Sequence, residues 1–82
     1  MSKAWTVYIL ECADGTLYTG ISNDVEKRVA KHNSGKGAKY TRPRLPVKLV
    51  YTQPVEDKSQ ALKEEYRIKK LTRAEKLKLA GK

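Results

Sequence analysis

The chain has 82 residues, with eighteen Lys plus Arg against nine Asp plus Glu and a formal charge of +9. That length leaves room for one domain, read as residues 1–82, with one modest core, and it excludes two. The charge makes a polyanion the first partner to expect; the plain counterpart is a small basic protein that binds nucleic acid without catalysis.

Residues 5 to 12 (WTVYILEC) and 16 to 21 (TLYTGI) are rich in β-branched and aromatic types. They flank Ala13-Asp14-Gly15, whose Asp-Gly pair suits a tight turn, so the chain opens with a β-hairpin. The apolar stretch from Trp5 to Leu10 is too short for a membrane span or a signal segment and is followed by Glu11 and Asp14. Cys12 is the single cysteine, reads as a small core residue, and fits a reducing compartment, here expected to be the cytoplasm.

Ser22 or Asn23 can cap a helix, with Glu26 three residues beyond Asn23 in capping-box spacing. Val25, Val29 and Ala30 supply its apolar stripe, and it should end between Asn33 and Gly35. Residues 34 to 46 (SGKGAKYTRPRLP) resist long regular structure and read as a loop with at most one helical turn. Residues 47 to 52 (VKLVYT) suit a third strand, which Pro54 should stop. From Asp57 to Leu71 the period returns to helix, with Ala61, Leu62, Ile68 and Leu71 on one side and Asp57 with Gln60 as cap. Thr72 and Glu75 repeat the capping-box spacing, so a last helix begins there and frays by Gly81. The order β-β-α-β-α-α points to an α+β fold, a three-stranded antiparallel sheet flanked by helices, with the order of strands in the sheet left open.

Between residues 27 and 55 stand eight basic residues and no Asp or Glu. Lys31, Lys36, Lys39, Arg42 and Arg44 are the candidate phosphate contacts of that segment. Tyr40, inside the run, could stack on an exposed base or anchor the loop. The later lysines and arginines are interleaved with Glu64, Glu65 and Glu75 and read mostly as a solvated helix face.

A narrower set carries chemistry. A hairpin turning at Asp14-Gly15 makes Tyr8 and Tyr18 cross-strand or diagonal neighbours, so their hydroxyls could converge. Arg28 and His32 are four apart on the first helix, on the side of Val25 and Val29 that must face the sheet. Glu65 falls within the apolar stripe of the second helix, where a carboxylate is costly unless paired or metal-bound. Each has an ordinary counterpart: half-buried strand tyrosines, a packing histidine, and an Arg28 to Glu65 ion pair.

Together these segments resemble the GIY-YIG nuclease domain. The two signatures read Thr6-Val7-Tyr8 and Tyr18-Thr19-Gly20, which keeps both tyrosines and the last glycine and loses the first glycine. NDVEKRVAKH at 23 to 32 and an acidic residue in a late helix complete the pattern. GKGAKYTRPRLP at 35 to 46 and ALKEEYRIKKLTR at 61 to 73 look most like the stand-alone bacterial members, which are similar to the nuclease modules of the bacterial excinuclease and of intron homing endonucleases.

The resemblance implies a metal-dependent endonuclease hydrolysing phosphodiester bonds, with a role in DNA repair or recombination. Tyr8 and Tyr18 match the motif tyrosines, Arg28 the motif arginine, His32 the histidine one turn later, and Glu65 the glutamate that holds Mg²⁺ or Mn²⁺, with Glu64 as the other alignment. Arg28 would neutralise transition-state charge. Tyr8 would accept or relay the proton of the attacking water if its pKa is lowered, and Tyr18 would orient water or phosphate, although either hydroxyl could play either part. DNA is expected over RNA, with no membrane partner, and targeting left to the basic loop or to a partner protein. The competing readings are a nucleic-acid-binding module with a vestigial site and a domain that docks its basic face on an acidic protein.

Overall fold

A computed structural model describes residues 4–81. Strands β1 (Trp5–Glu11), β2 (Leu17–Ser22) and β3 (Lys48–Val55) form one antiparallel sheet in the order β2-β1-β3. Helices α1 (Val25–Lys31), α2 (Lys58–Lys69) and α3 (Arg73–Leu79) complete the expected β-β-α-β-α-α order and the α+β class.

The middle strand supplies two cores. Val7 and Ile9 point to one face, where they pack with Ala61 and Ile68 of α2 and with half-buried Ile21, Leu71 and Leu79. Tyr8 and Leu10 point to the other, where they pack with Cys12 and Val47 and with half-buried Tyr18, Val25 and Val29. Period-two alternation thus divides a nearly all-buried strand, Val7 through Leu10, between greasy helix packing and the face that α1 covers.

Two local expectations shift. Asp24, one residue later than expected, caps α1 by accepting from the Lys27 amide at 3.3 Å, while Ser22 Oγ accepts from the Asp24 amide at 2.9 Å. An Asx side chain on a residue with non-helical backbone satisfies the first free amides of the helix, and Asp24 has such a backbone (φ −153°, ψ 84°) where the turn leaves β2. Strand β3 runs through Pro54 to Val55, because it lies at an edge of the sheet, where a missing N–H costs no ladder bond if it faces outward. Its register against β1 also shifts between Ile9 and Leu10. The other two caps form as spaced: Asp57 accepts from the Gln60 amide at 2.8 Å, and Thr72 with Glu75 makes a reciprocal capping box.

After α1 the chain continues as a wide helical turn, His32–Lys36, and a short 3₁₀ turn follows at Arg42–Arg44. Asn33 ties this stretch to the sheet: its Nδ2 donates to the Val47 carbonyl at 3.2 Å and its Oδ1 accepts from the Val47 amide at 2.7 Å. Arg44 ties it to the hairpin, with Nε 3.0 Å from Asp14 Oδ2 and its backbone carbonyl accepting from the Ala13 amide at 2.9 Å.

Candidate active site

Antiparallel pairing sets Tyr8 opposite Gly20 and Leu10 opposite Tyr18, so the two tyrosines are diagonal neighbours on one face. Gly20 is where they meet: a Cβ built there would lie 2.6 Å from Tyr8 Oη and 3.1 Å from Tyr18 Cε2. The signature glycine therefore has a steric reason. Any side chain would occupy the place the Tyr8 ring takes over the β2 backbone.

His32 enters from the end of α1. It is fully buried, with Nε2 3.3 Å from Tyr8 Oη and Nδ1 2.9 Å from Thr41 Oγ1. Its ring meets that of Tyr18 edge to face at 5.3 Å between centroids. Burial, and then the Arg28 guanidinium, push its pKa below the ordinary histidine value, so the imidazole is neutral at pH 7.

Tyr8 is 1% exposed. Burial raises the pKa of its hydroxyl, opposed by a hydrogen bond from Arg28; the nearby Tyr18 and Glu65 also raise it, and the charge of Arg28 lowers it. The condition of a lowered Tyr8 pKa is thus not met: the group is a neutral hydroxyl, because the cost of burying a phenolate exceeds what one guanidinium returns. The same set of interactions shows that Arg28 and Glu65, from helices on opposite faces of the sheet, both come within electrostatic reach of Tyr8.

Glu65 and Glu64 diverge. Glu64 is bound to Arg67 at 2.8 Å and 3.1 Å, which with help from Gln53 of β3 holds its carboxyl below the usual range. The charge of Glu65 reaches Tyr8 and raises its pKa; the Glu65 carboxylate is 3.5 Å from Lys69 Nζ and its side chain 20% exposed. Among the described residues no three His, Cys, Asp or Glu side chains gather around one point. The donor set is one accessible carboxylate, which fits a hard cation that keeps most of its waters.

The candidate phosphate contacts divide. Lys31, Lys36, Lys39 and Arg42 are exposed. The Arg44 guanidinium is engaged within the fold, by Asp14, by the Tyr40 carbonyl at 2.6 Å and by the Tyr40 ring 4.2 Å below it. Tyr40 stacks in turn on Tyr18, with ring centroids 6.0 Å apart, so its ring anchors the loop against the site.

A hollow of about 510 Å³ is lined by Arg28 with Ser22, Asn23, Asp24, Lys27, Ala30 and Lys31, and two more flank this cluster. One, of about 380 Å³, is lined by Arg28 with Trp5, Ile21, Ser22, Asn23 and Lys58. The other, of about 280 Å³, is lined by Tyr18 and Tyr40 with Leu17, Thr19, Lys69 and Lys76. Sequence reasoning placed Lys69 and Lys76 on a solvated helix face and did not single out Lys58, Gly37 or Thr41. Lys69 and Lys76 come to line this hollow because α2 packs against β2 and α3 follows it, a relation that charge spacing along the chain does not contain.

Comparison with known proteins bears on the family and the fold. The GIY-YIG catalytic domain matches residues 4–78. The chain is 59% identical over 70 residues to a UPF0213 protein of Halobacterium salinarum, covering 85% of this chain and 91% of that one. It is 60% identical over 73 residues to a UPF0213 protein of Staphylococcus epidermidis, covering 89% of each. The solution NMR structure of a UPF0213 protein from Bacillus halodurans superposes with a TM-score of 0.59 at 51% identity, covering 94% of this chain and 82% of that chain. The solution NMR structure of an E. faecalis protein gives 0.61 at 42% identity, covering 93% and 83%. No helix among the described residues is long and apolar enough to cross a membrane. On the match over residues 4–78 and relatives this close, the chain belongs to the GIY-YIG family, whose domains are nuclease-like.

Proposed function

We propose that this chain is a cytoplasmic endonuclease that hydrolyses phosphodiester bonds, in DNA rather than RNA, acting as one domain over 1–82 in strand repair or recombination. The observation that supports this most is the gathering around the Tyr8 hydroxyl of His32, Tyr18, Arg28 and Glu65, drawn with Tyr8 itself from two strands, α1 and the turn that continues it, and α2.

In this reading Arg28 neutralises the charge that builds on the phosphoryl oxygens as a water attacks phosphorus. The new P–O bond forms as the bond to the leaving oxygen breaks, and the leaving oxygen takes a proton from solvent. The water's proton passes to Tyr8 Oη as the Tyr8 proton passes to Nε2 of neutral His32, so no free tyrosinate is needed. Tyr18, half-buried and lining the lysine-walled hollow, orients the water or the phosphate. Glu65 would hold Mg²⁺ or Mn²⁺, which supplies polarisation of a phosphoryl oxygen and help to the leaving group. Lys58, Lys69 and Lys76, with Lys31, Lys36, Lys39 and Arg42, grip the flanking phosphates.

The test is nicking of supercoiled plasmid with Mg²⁺ or Mn²⁺ by the native chain, Arg28→Ala and Glu65→Gln. Nicking by the native chain that both substitutions abolish is the expected result. Equal nicking by all three would mark a contaminant and sink the reading. The near-complete enclosure of Tyr8 favours a second reading, a nucleic-acid-binding module whose site no longer turns over. It predicts a salt-sensitive gel shift with no cleavage by any preparation.

A further inference from the structure

The hydrogen bonds around His32 have a direction, and Thr41 sets it. Thr41 is fully buried and carries one hydroxyl proton. That proton goes to the Ala38 carbonyl, 3.0 Å from Oγ1 and closed into a tight turn by the Thr41 amide bonding the same carbonyl at 3.1 Å. The Thr41 oxygen can then only accept from His32 Nδ1, 2.9 Å away, so Nδ1 bears the imidazole proton. A neutral imidazole protonated at Nδ1 has its lone pair on Nε2, and the atom facing Nε2, at 3.3 Å, is Tyr8 Oη.

We infer that Thr41 is a positioning residue that fixes His32 as the Nδ1–H tautomer, and thereby makes Tyr8 a donor to His32 whose oxygen lone pairs face Arg28 and the reacting groups.

The opposite tautomer would invert the chain. Nε2–H would donate to Tyr8, and the Tyr8 proton would then point toward the Arg28 guanidinium, donor against donor. Nor would Nε2 have a lone pair to receive the Tyr8 proton, since the only one would lie on Nδ1, facing Thr41. Gly37 supports the same arrangement by its missing side chain: a Cβ there would collide with His32 Nδ1, in the space through which the ring nitrogen reaches Thr41.

The role in turnover rests on the proposed hydrolysis, but the tautomer does not, so two readouts separate them. ¹⁵N chemical shifts of the His32 ring in labelled native protein at pH 7.5 should report a protonated Nδ1 and an unprotonated Nε2. Thr41→Val keeps the shape and removes the acceptor, and should move the ring toward the Nε2–H form; Thr41→Ser should restore the native shifts. In the plasmid assay Thr41→Val should lower kcat at least about tenfold with KM within about twofold, since a base in the wrong tautomer forfeits much of the roughly 10²- to 10⁴-fold that proton transfer contributes. Thr41→Ser should recover most of it. A native ring protonated at Nε2 overturns the inference whether or not the protein cuts DNA, and so does Thr41→Val with native shifts and native kcat. If Thr41→Val does not fold, the native shifts decide alone. Native shifts as expected in a protein that cuts nothing would leave the tautomer standing and remove the nuclease reading.

Discussion

Gly20 of β2 lies directly beneath the Tyr8 ring of β1: a Cβ added there would sit 2.6 Å from Oη and 2.7 Å from Cζ. Neither the paired strand backbone nor a ring that is 1% exposed can yield at low cost. Gly20→Ala should therefore destabilise the fold by about 1 to 3 kcal/mol, the usual range for overpacking a tight site. Urea unfolding reads this, and a midpoint equal to the native one would show that the ring does not lie over the strand.

Mild acid should weaken the fold through His32. Burial, followed by the Arg28 charge, depresses its folded pKa, while the unfolded chain titrates near its ordinary value of about 6.5. Between those values the unfolded state binds a proton that the folded state does not, so the His32 contribution is intact above about pH 6.5 and shrinks as pH falls below it. Urea midpoints compared at pH 7.5 and 5.5 should show the loss, and His32→Gln should remove most of that difference. A midpoint that rises toward pH 5.5 would contradict the depressed pKa.

Asn33 acts as a short substitute for a strand. Both its amide atoms bond the backbone of Val47, whose side chain is 5% exposed in the core beside Tyr8. Asn33→Ala leaves a part-buried N–H and C=O without that partner and should cost about 1 to 3 kcal/mol. Neighbouring Ser34, whose hydroxyl makes only an exposed local bond to the Lys31 carbonyl, should tolerate alanine. Thermal unfolding of the two variants side by side tests the contrast, and equal melting temperatures would refute it.

If nucleic acid passes the hollow beside Tyr18, Lys76 belongs to the grip. Lys76→Glu should weaken DNA binding and flatten the plot of log affinity against log salt by about 0.9 for each duplex phosphate that the side chain no longer neutralises. Fluorescence anisotropy across a salt series measures both, and an unchanged slope would take Lys76 out of the interface. Arg44→Ala differs in kind, because its guanidinium holds Asp14 and Tyr40. It should loosen the loop, read as faster amide exchange around Tyr40, with little change in the salt slope.

Local chemistry makes much of this legible in the residues themselves. Asp14-Gly15 locates the hairpin, and the hairpin makes Tyr8 and Tyr18 neighbours. Asp57 with Gln60 and Thr72 with Glu75 mark helix starts that form as spaced. What escapes lies where side chains bond across the loop and not along an element. Thr41 and Gly37 sit in a stretch without period, and their parts depend on where a histidine five to nine residues earlier points. The Glu64 and Glu65 alternatives separate only once α2 is seen to tie Glu64 to Arg67 and Gln53, leaving Glu65 as the carboxylate whose charge reaches Tyr8. The pKa of Tyr8 moves against expectation because enclosure, which no spacing rule conveys, outweighs a neighbouring cation.

The alternation of β1 between the sheet's two sides makes that strand intolerant of insertion or deletion. Deleting a single residue between Tyr8 and the hairpin turn would hand Val7 to His32 and drive a phenol into the grease against Ala61 and Ile68, abolishing chemistry and cohesion at one stroke. Extra residues at the Asp14 tip would leave every inward and outward assignment as it was. Length variation among functional versions of this chain should accordingly collect at the hairpin tip, while β1 keeps a fixed count from its first residue to its last.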